Sequence, residues 1–151
     1  MLADLESKRL MAIDPGLKHI GLALSDLSGT IASPHCIINH TSREIDAVKI
    51  IQVVKQNRVV KIIMGLSMDE EGNPSLEGRS AIRLAEEINN QGAVPIEYWD
   101  EDSTTNLAQE IYLQAGASKK RRKGHHDDLA AAILLQAYIE NKKFTNLVQP
   151  N

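Results

Sequence analysis

Three separated groups of carboxylates carry the clearest chemistry in this chain. Asp14 closes an apolar run, Leu10-Met11-Ala12-Ile13, and is followed by Pro15-Gly16 and a second apolar run, Ile20-Gly21-Leu22-Ala23-Leu24. Asp100-Glu101-Asp102 follows a strand-like segment, and Asp127-Asp128 stands at the head of an apolar helix. A lone carboxylate at a turn ordinarily hydrogen-bonds the turn itself. Three groups converging in space supply the hard oxygen donors that a divalent cation needs. A cation held in this way activates water and stabilises a departing oxygen, which is the chemistry of phosphodiester hydrolysis.

The cations are placed to match. Lys119-Lys120-Arg121-Arg122-Lys123 puts five positive charges in a row just before Asp127. Such a run is either a solvated loop or a contact for a polyanion backbone. The net charge of −3 lacks the basic surplus common among nucleic-acid binders, so any such contact must be local. His125 and His126 are adjacent, so on a helix they diverge and do not share one ion. Phosphate loops and nucleophile elbows are both missing from the sequence.

The elements that must position these groups alternate between strand and helix. Strands are expected over 9–14, 19–25 and 31–38, joined by short turns as an antiparallel meander. Thr41 or Ser42 caps a helix ending near Asn57, with Ile45, Val48, Ile51 and Val54 read as its apolar face. Residues 59–66 read as a strand buried on both faces. A loop over 67–74 precedes a helix over 75–90 that Gln91-Gly92 stops. Residues 94–99 read as a strand near an edge, because Pro95 and Glu97 interrupt its apolar pattern. Helices follow over 103–115 and 126–142. The expected fold is α/β, a mixed five-stranded sheet with strands 1–3 antiparallel and strands 4 and 5 parallel, flanked by helices, with strand 1 central. One domain over 9–142 is expected, after an extension over 1–8 and before a loose polar tail over 143–151.

On the last helix, a step of about 100° per residue groups Asp127 with Ala131, Leu134 and Tyr138 on the inward face. Asp128 falls on the flank, about 100° away, and Gln136 and Glu140 fall opposite. An inward carboxylate needs a partner or a metal, whereas Asp128 is explained by the helix dipole. Trp99 is read as core rather than as a stacking platform.

The chain has no stretch of about 18 apolar residues that would span a membrane. It has no signal-like start, and Cys36 is its one cysteine, so neither a disulfide nor a cysteine-bound zinc forms within it. A cytoplasmic protein is expected.

Assembled, these blocks resemble the YqgF/RuvX family of RuvC-like nucleases in the RNase H-like superfamily. The segment Ile13-Asp14-Pro15-Gly16-Leu17-Lys18-His19-Ile20-Gly21 with the closing Ser25-Asp26 resembles the family's first motif. Met64-Gly65-Leu66-Ser67, Asp100-Glu101-Asp102-Ser103-Thr104-Thr105 and Asp127-Asp128-Leu129-Ala130-Ala131 resemble three further motifs, in order, over roughly residues 9 to 140. His19 and Asp102 stand where the family carries arginine, Ser67 where it carries proline, and 69–74 follows the family loop only loosely.

The resemblance implies a magnesium-dependent endonuclease, with manganese as a substitute ion, acting on the 5′ end of precursor 16S rRNA. Asp14, Glu101 or Asp100, and Asp127 would be the catalytic carboxylates and metal ligands. Strand alternation lets only one of Asp100 and Glu101 serve as a primary ligand, and Glu101 is preferred. Lys18, His19, Arg79, Lys119, Lys120, Arg121, Arg122 and Lys123 would contact backbone phosphates of structured RNA or branched DNA. Two alternatives remain: a dimeric Holliday-junction resolvase, and an inactive nucleic-acid binding module. The protein itself would be a monomer or homodimer.

Overall fold

The structure, a computed structural model, describes residues 6–92, 94–101 and 127–148. Five strands form one sheet: β1 (Leu10–Pro15), β2 (His19–Ser25), β3 (Ala32–Asn39), β4 (Lys61–Leu66) and β5 (Ile96–Asp100). Helix α1 (Arg43–Gln56) joins β3 to β4, α2 (Leu76–Asn90) joins β4 to β5, and α3 (Asp127–Val148) ends the described chain. The strand order is β3-β2-β1-β4-β5. β1 pairs antiparallel with β2 and parallel with β4, and β5 pairs parallel with β4. The meander, the parallel crossovers, the central β1 and the edge position of β5 all match the sequence expectation. The helix expected over 103–115, Asp102, the basic run, His125 and His126 lie outside the described residues. No helix among the described residues is long and apolar enough to cross a membrane.

The sheet separates two cores. Met11, Ile13, Leu22, Ile62 and Met64 pack beneath α1 and α2 against Ile50, Leu84 and Ile88. Ala12, Ala23, Ala32 and Ile63 face α3, meeting Ala131, Leu134, Leu135 and Tyr138. Neighbours in sequence point to opposite faces of a strand, so these two sets fix the facing along β1, β2 and β4, while β3 shifts register opposite Leu22 and Ala23.

Three sequence assignments need correction. The buried face of α1 is Ala47, Ile50, Ile51 and Val54, while Ile45 and Val48 are exposed. A strict spacing of three drifts about 60° per step around a helix, so the four residues chosen from sequence walk off the core face. Val59 and Val60 precede β4 rather than start it, because Arg58 turns the chain at φ 56°. Helix α3 continues to Val148 instead of stopping near Lys142. Polarity alone does not end a helix, and no glycine or proline occurs between Lys142 and Val148.

The far edge of the sheet is tied down by Ser25 and Asp26, the last pair of the first motif. Ser25 Oγ accepts from Leu10 N at 2.8 Å and donates to Asp26 O at 2.8 Å. The Asp26 carboxylate accepts from Ser28 Oγ, from Thr30 N at 2.8 Å and from Ile31 N at 3.0 Å. Burial pushes this carboxyl upward, but those hydrogen bonds outweigh it and hold the group well below the usual carboxylate range. This pair is therefore structural, at the edge opposite Asp14.

A depressed carboxyl stabilises the fold above its ordinary value of about 3.9 and loses that contribution as pH falls toward its folded value. Asp26→Asn should lower stability at pH 7 by roughly 1 kcal/mol, because the carboxylate is exposed and screened. The deficit should shrink on acidification below about pH 4. Urea unfolding of both proteins across that range measures it; a pH-independent difference would contradict the assignment.

Candidate active site

Asp14 lies near the carboxyl end of β1, half-buried. Its β2 partner is Gly21. On the other side, Ile13 pairs with Met64, so Gly65 is the next β4 residue, beside Asp14 at about one interstrand spacing of 4.8 Å. Paired residues share a face, and Ala12 faces α3, so Asp14 faces α3 as well. The carboxylate therefore stands between two residues that have no side chain.

Glu101 fills part of that opening. It follows β5, and Trp99, two residues earlier, packs in the α3 core. A Cβ built on Gly65 would lie 3.2 Å from Glu101 Oε1, 3.3 Å from Ile13 O and 2.7 Å from Leu134 Cδ1. The Glu101 carboxylate thus folds back across β4 to the strand end that carries Asp14. Asp100 is exposed and one residue out of phase with Trp99, so alternation turns it to the other face. The geometry separates the Asp100-Glu101 pair and sets Glu101 over Gly65, the β4 residue beside Asp14.

Helix α3 approaches the same edge. Leu134 sits over Gly65 near the end of β4, while the Tyr138 hydroxyl lies 3.0 Å from Lys61 Nζ at the start of β4. The helix therefore runs down the sheet from its carboxyl edge. Asp127 is seven residues before Leu134 on the same stripe, about 10 Å up the axis. It is described by its backbone alone, at the first position of α3. Among the described residues no three histidine, cysteine or acidic side chains form a metal cluster. Carboxylates are hard oxygen donors, suited to magnesium or calcium rather than zinc or copper.

A network at the other end locks the helix. Lys61 Nζ donates to Glu97 Oε1 at 2.5 Å, and Tyr138 Oη donates to the same oxygen at 3.0 Å. Trp99 meets the Tyr138 ring edge-on, with centroids 5.4 Å apart. Trp99 is thus a packing residue, as expected. Burial pushes the Glu97 carboxyl up, but the Lys61 and Tyr138 hydrogen bonds outweigh it and leave it below its usual range.

The helical wheel read from sequence is wrong at two positions. Asp128 is buried, not on a flank. Ala132, Leu135 and Ile139 join Ala131, Leu134 and Tyr138 in the core, which widens the apolar stripe and moves its centre toward Asp128. Burial pushes the Cys36 thiol up, and the Asp128 charge adds to it, so Asp128 lies on the side toward β3. Gln136 is also buried; its Oε1 accepts from Ala32 N at 2.9 Å and its Nε2 donates to Thr30 O at 3.4 Å. A long polar side chain at the stripe's margin satisfies the opening of an edge strand.

The basic candidates are dispersed. Lys18 is exposed at the tip of the β1–β2 turn. That turn needs Gly16, whose Cβ would meet His19 O at 2.5 Å. His19 Nδ1 lies 2.9 Å from Asn39 Oδ1 across the β2–β3 pair. Arg79 is exposed in the first turns of α2, its Nη1 donating to Pro74 O at 3.3 Å. Lys119, Lys120, Arg121, Arg122 and Lys123 lie outside the described residues. Sequence reasoning missed Gly65 as a site residue. Its signal is a glycine inside a buried strand with no turn to require it, which marks a close approach.

Comparison with known proteins bears on the family and the fold. A family model described as "RuvX: Holliday junction resolvase" matches residues 8–141. A "Putative pre-16S rRNA nuclease" of Thermoanaerobacter pseudethanolicus is 38% identical over 136 residues, covering 89% of this chain and 98% of the relative. A protein of the same name from Paramagnetospirillum magneticum is 36% identical over 143 residues, covering 94% and 92%. Among solved structures, Thermus thermophilus RuvC in complex with a Holliday junction substrate superposes with a TM-score of 0.63 at 16% identity, covering 89% of this chain and 96% of that one. At that identity the likeness speaks for the fold alone.

Gly65→Ala should push both Leu134 and Glu101 aside. The expected destabilisation is about 1–2 kcal/mol by urea unfolding, within the range for added core atoms. Paired titration should show manganese affinity falling severalfold. A variant as stable as the parent with unchanged manganese uptake would contradict the shared space over β4.

Proposed function

The chain belongs to the RuvX family, and on that premise we propose that it is a metal-dependent endonuclease that processes the 5′ end of precursor 16S rRNA in the cytoplasm. The observation that carries the reading is the Glu101 carboxylate folded over Gly65 toward Asp14. The relatives' name supports the RNA substrate.

Magnesium, or manganese in its place, would be held by Asp14, Glu101 and Asp127, and would supply Lewis acidity at the phosphoryl oxygen and a more acidic attacking water. The chain's own residues set the rest. The Asp14 backbone is held by its pairing with Gly21 and by the Ile13–Met64 pair just before it, which anchors the base of the carboxylate. Gly21 and Gly65 put no side chain beside it, and the Glu101 carboxylate takes part of the room over Gly65. Carboxylates at hydrogen-bond distance orient that water by accepting its protons. Lys18 and Arg79 contact flanking phosphates, which fixes register without reading bases.

A Holliday-junction resolvase is the second reading, favoured by the description of the matching family. It shares the carboxylates and differs in substrate.

Cleavage of a labelled precursor-rRNA 5′ segment and of a four-way DNA junction, with magnesium or EDTA, tests both. Asp14→Asn and Glu101→Gln should each lower the rate by roughly a hundredfold or more, as expected when a ligand to the ion is lost. Asp100→Asn should stay within about threefold, as a surface change does. Cutting of the junction alone would select the resolvase reading. Equal cleavage by the parent and Asp14→Asn, or cleavage indifferent to EDTA, would end both.

A further inference from the structure

On the other side of the β1–β2 turn from Asp14 lies a pocket of roughly 100 Å³, enough for about three waters or one phosphate group. Its walls include Gly16, Leu17, His40, Arg43, Asp46 and Ser80. Its floor includes Ile20 and Leu84, which belong to the core under α1 and α2. The pocket is therefore on the sheet face opposite the carboxylates.

Its polar groups are unevenly satisfied, in one direction. Asp46 is 1% exposed. Its Oδ2 lies 2.5 Å from His40 Nδ1, and its Oδ1 accepts from Thr41 N at 3.2 Å and Thr41 Oγ1 at 3.4 Å. Both oxygens are taken, so this carboxylate orients His40 and leaves its Nε2 for a ligand. The His40 backbone is tied to the turn as well, His40 N donating to Lys18 O at 2.9 Å. Among the described residues, the Arg43 guanidinium has no carboxylate partner and the Ser80 hydroxyl has no hydrogen-bond partner. Arg43 is also the first residue of α1, at the positive end of its dipole. A pocket whose uncommitted groups are a guanidinium, a hydroxyl and an imidazole edge is suited to an oxyanion. The chain neighbours of its Leu17 and Ser80 walls are Lys18 and Arg79, two exposed cations.

We propose that this pocket holds a backbone phosphate of the bound nucleic acid, gripped by Arg43, Ser80 and His40, so that the strand wraps the β1–β2 turn between the pocket and Asp14. The proposal rests on the nuclease reading and adds a positioning subsite to it. With one phosphate fixed on each side of the turn, the pocket determines which bond of the strand reaches Asp14 and Glu101.

The test uses the full chain with calcium in place of magnesium, and fluorescence anisotropy of a labelled structured RNA and a four-way DNA junction at several salt concentrations. Arg43→Gln should weaken binding about tenfold and reduce the slope of log affinity against log salt by about 0.7–0.9, the loss of one phosphate contact. Ser80→Ala should weaken binding severalfold and leave that slope unchanged, because it removes no charge. Circular dichroism confirms folding, and manganese titration should be unaffected in both variants. Binding by both variants that equals the parent in affinity and salt slope would overturn the pocket and leave the nuclease reading intact. A parent that binds neither nucleic acid would overturn both.

Discussion

Everything at the carboxyl edge depends on the space around Asp14. Two neighbouring strands place Gly21 and Gly65 beside it, so neither neighbour contributes a side chain next to the carboxylate. Glu101 Oε1 and Leu134 Cδ1 both use the volume that Gly65 leaves. A side chain at position 65 would separate Glu101 from β1 and lift α3 from the sheet. One missing Cβ therefore serves packing and chemistry together.

Strand alternation converts that local opening into a site. Ala12 and Asp14, Ile63 and Gly65, and Trp99 and Glu101 are three pairs two residues apart, one each along β1, along β4 and at the end of β5. The first member of each pair packs in the α3 core, so the second is directed to the same face one step nearer the edge. The core thus sets the aim of the carboxylates. The Lys61, Glu97 and Tyr138 network, together with Trp99, holds α3 at the far end of the sheet, so that its first residue lies toward the acidic edge. Asp26 and Ser25 brace the β2–β3 hairpin at that far end.

Much of this was legible from the residues. Apolar runs of strand length, a cap at Thr41 or Ser42, which the structure places at Ser42, and the Gln91-Gly92 stop gave the element order. The order itself made β1 central and put Asp14 at its end. What was not legible depended on tertiary contacts. The facing of α1 was misjudged because Ile45 and Val48 are as apolar as the residues that are buried. Asp128 and Gln136 were misplaced because a helix lying across three strands buries a wider stripe than one neighbour would demand. The His40–Asp46 pair gave no sequence signal, since a buried acid in the first turn of a helix reads as an ordinary dipole partner.

The account stands on Asp14 and Glu101 gripping one cation. A crystal grown with manganese, examined by anomalous scattering, measures this directly. The account predicts an anomalous peak with an Asp14 oxygen and a Glu101 oxygen each about 2.1–2.2 Å away. A peak ligated by Asp100 instead, or manganese bound with neither Asp14 nor Glu101 in contact, would contradict it.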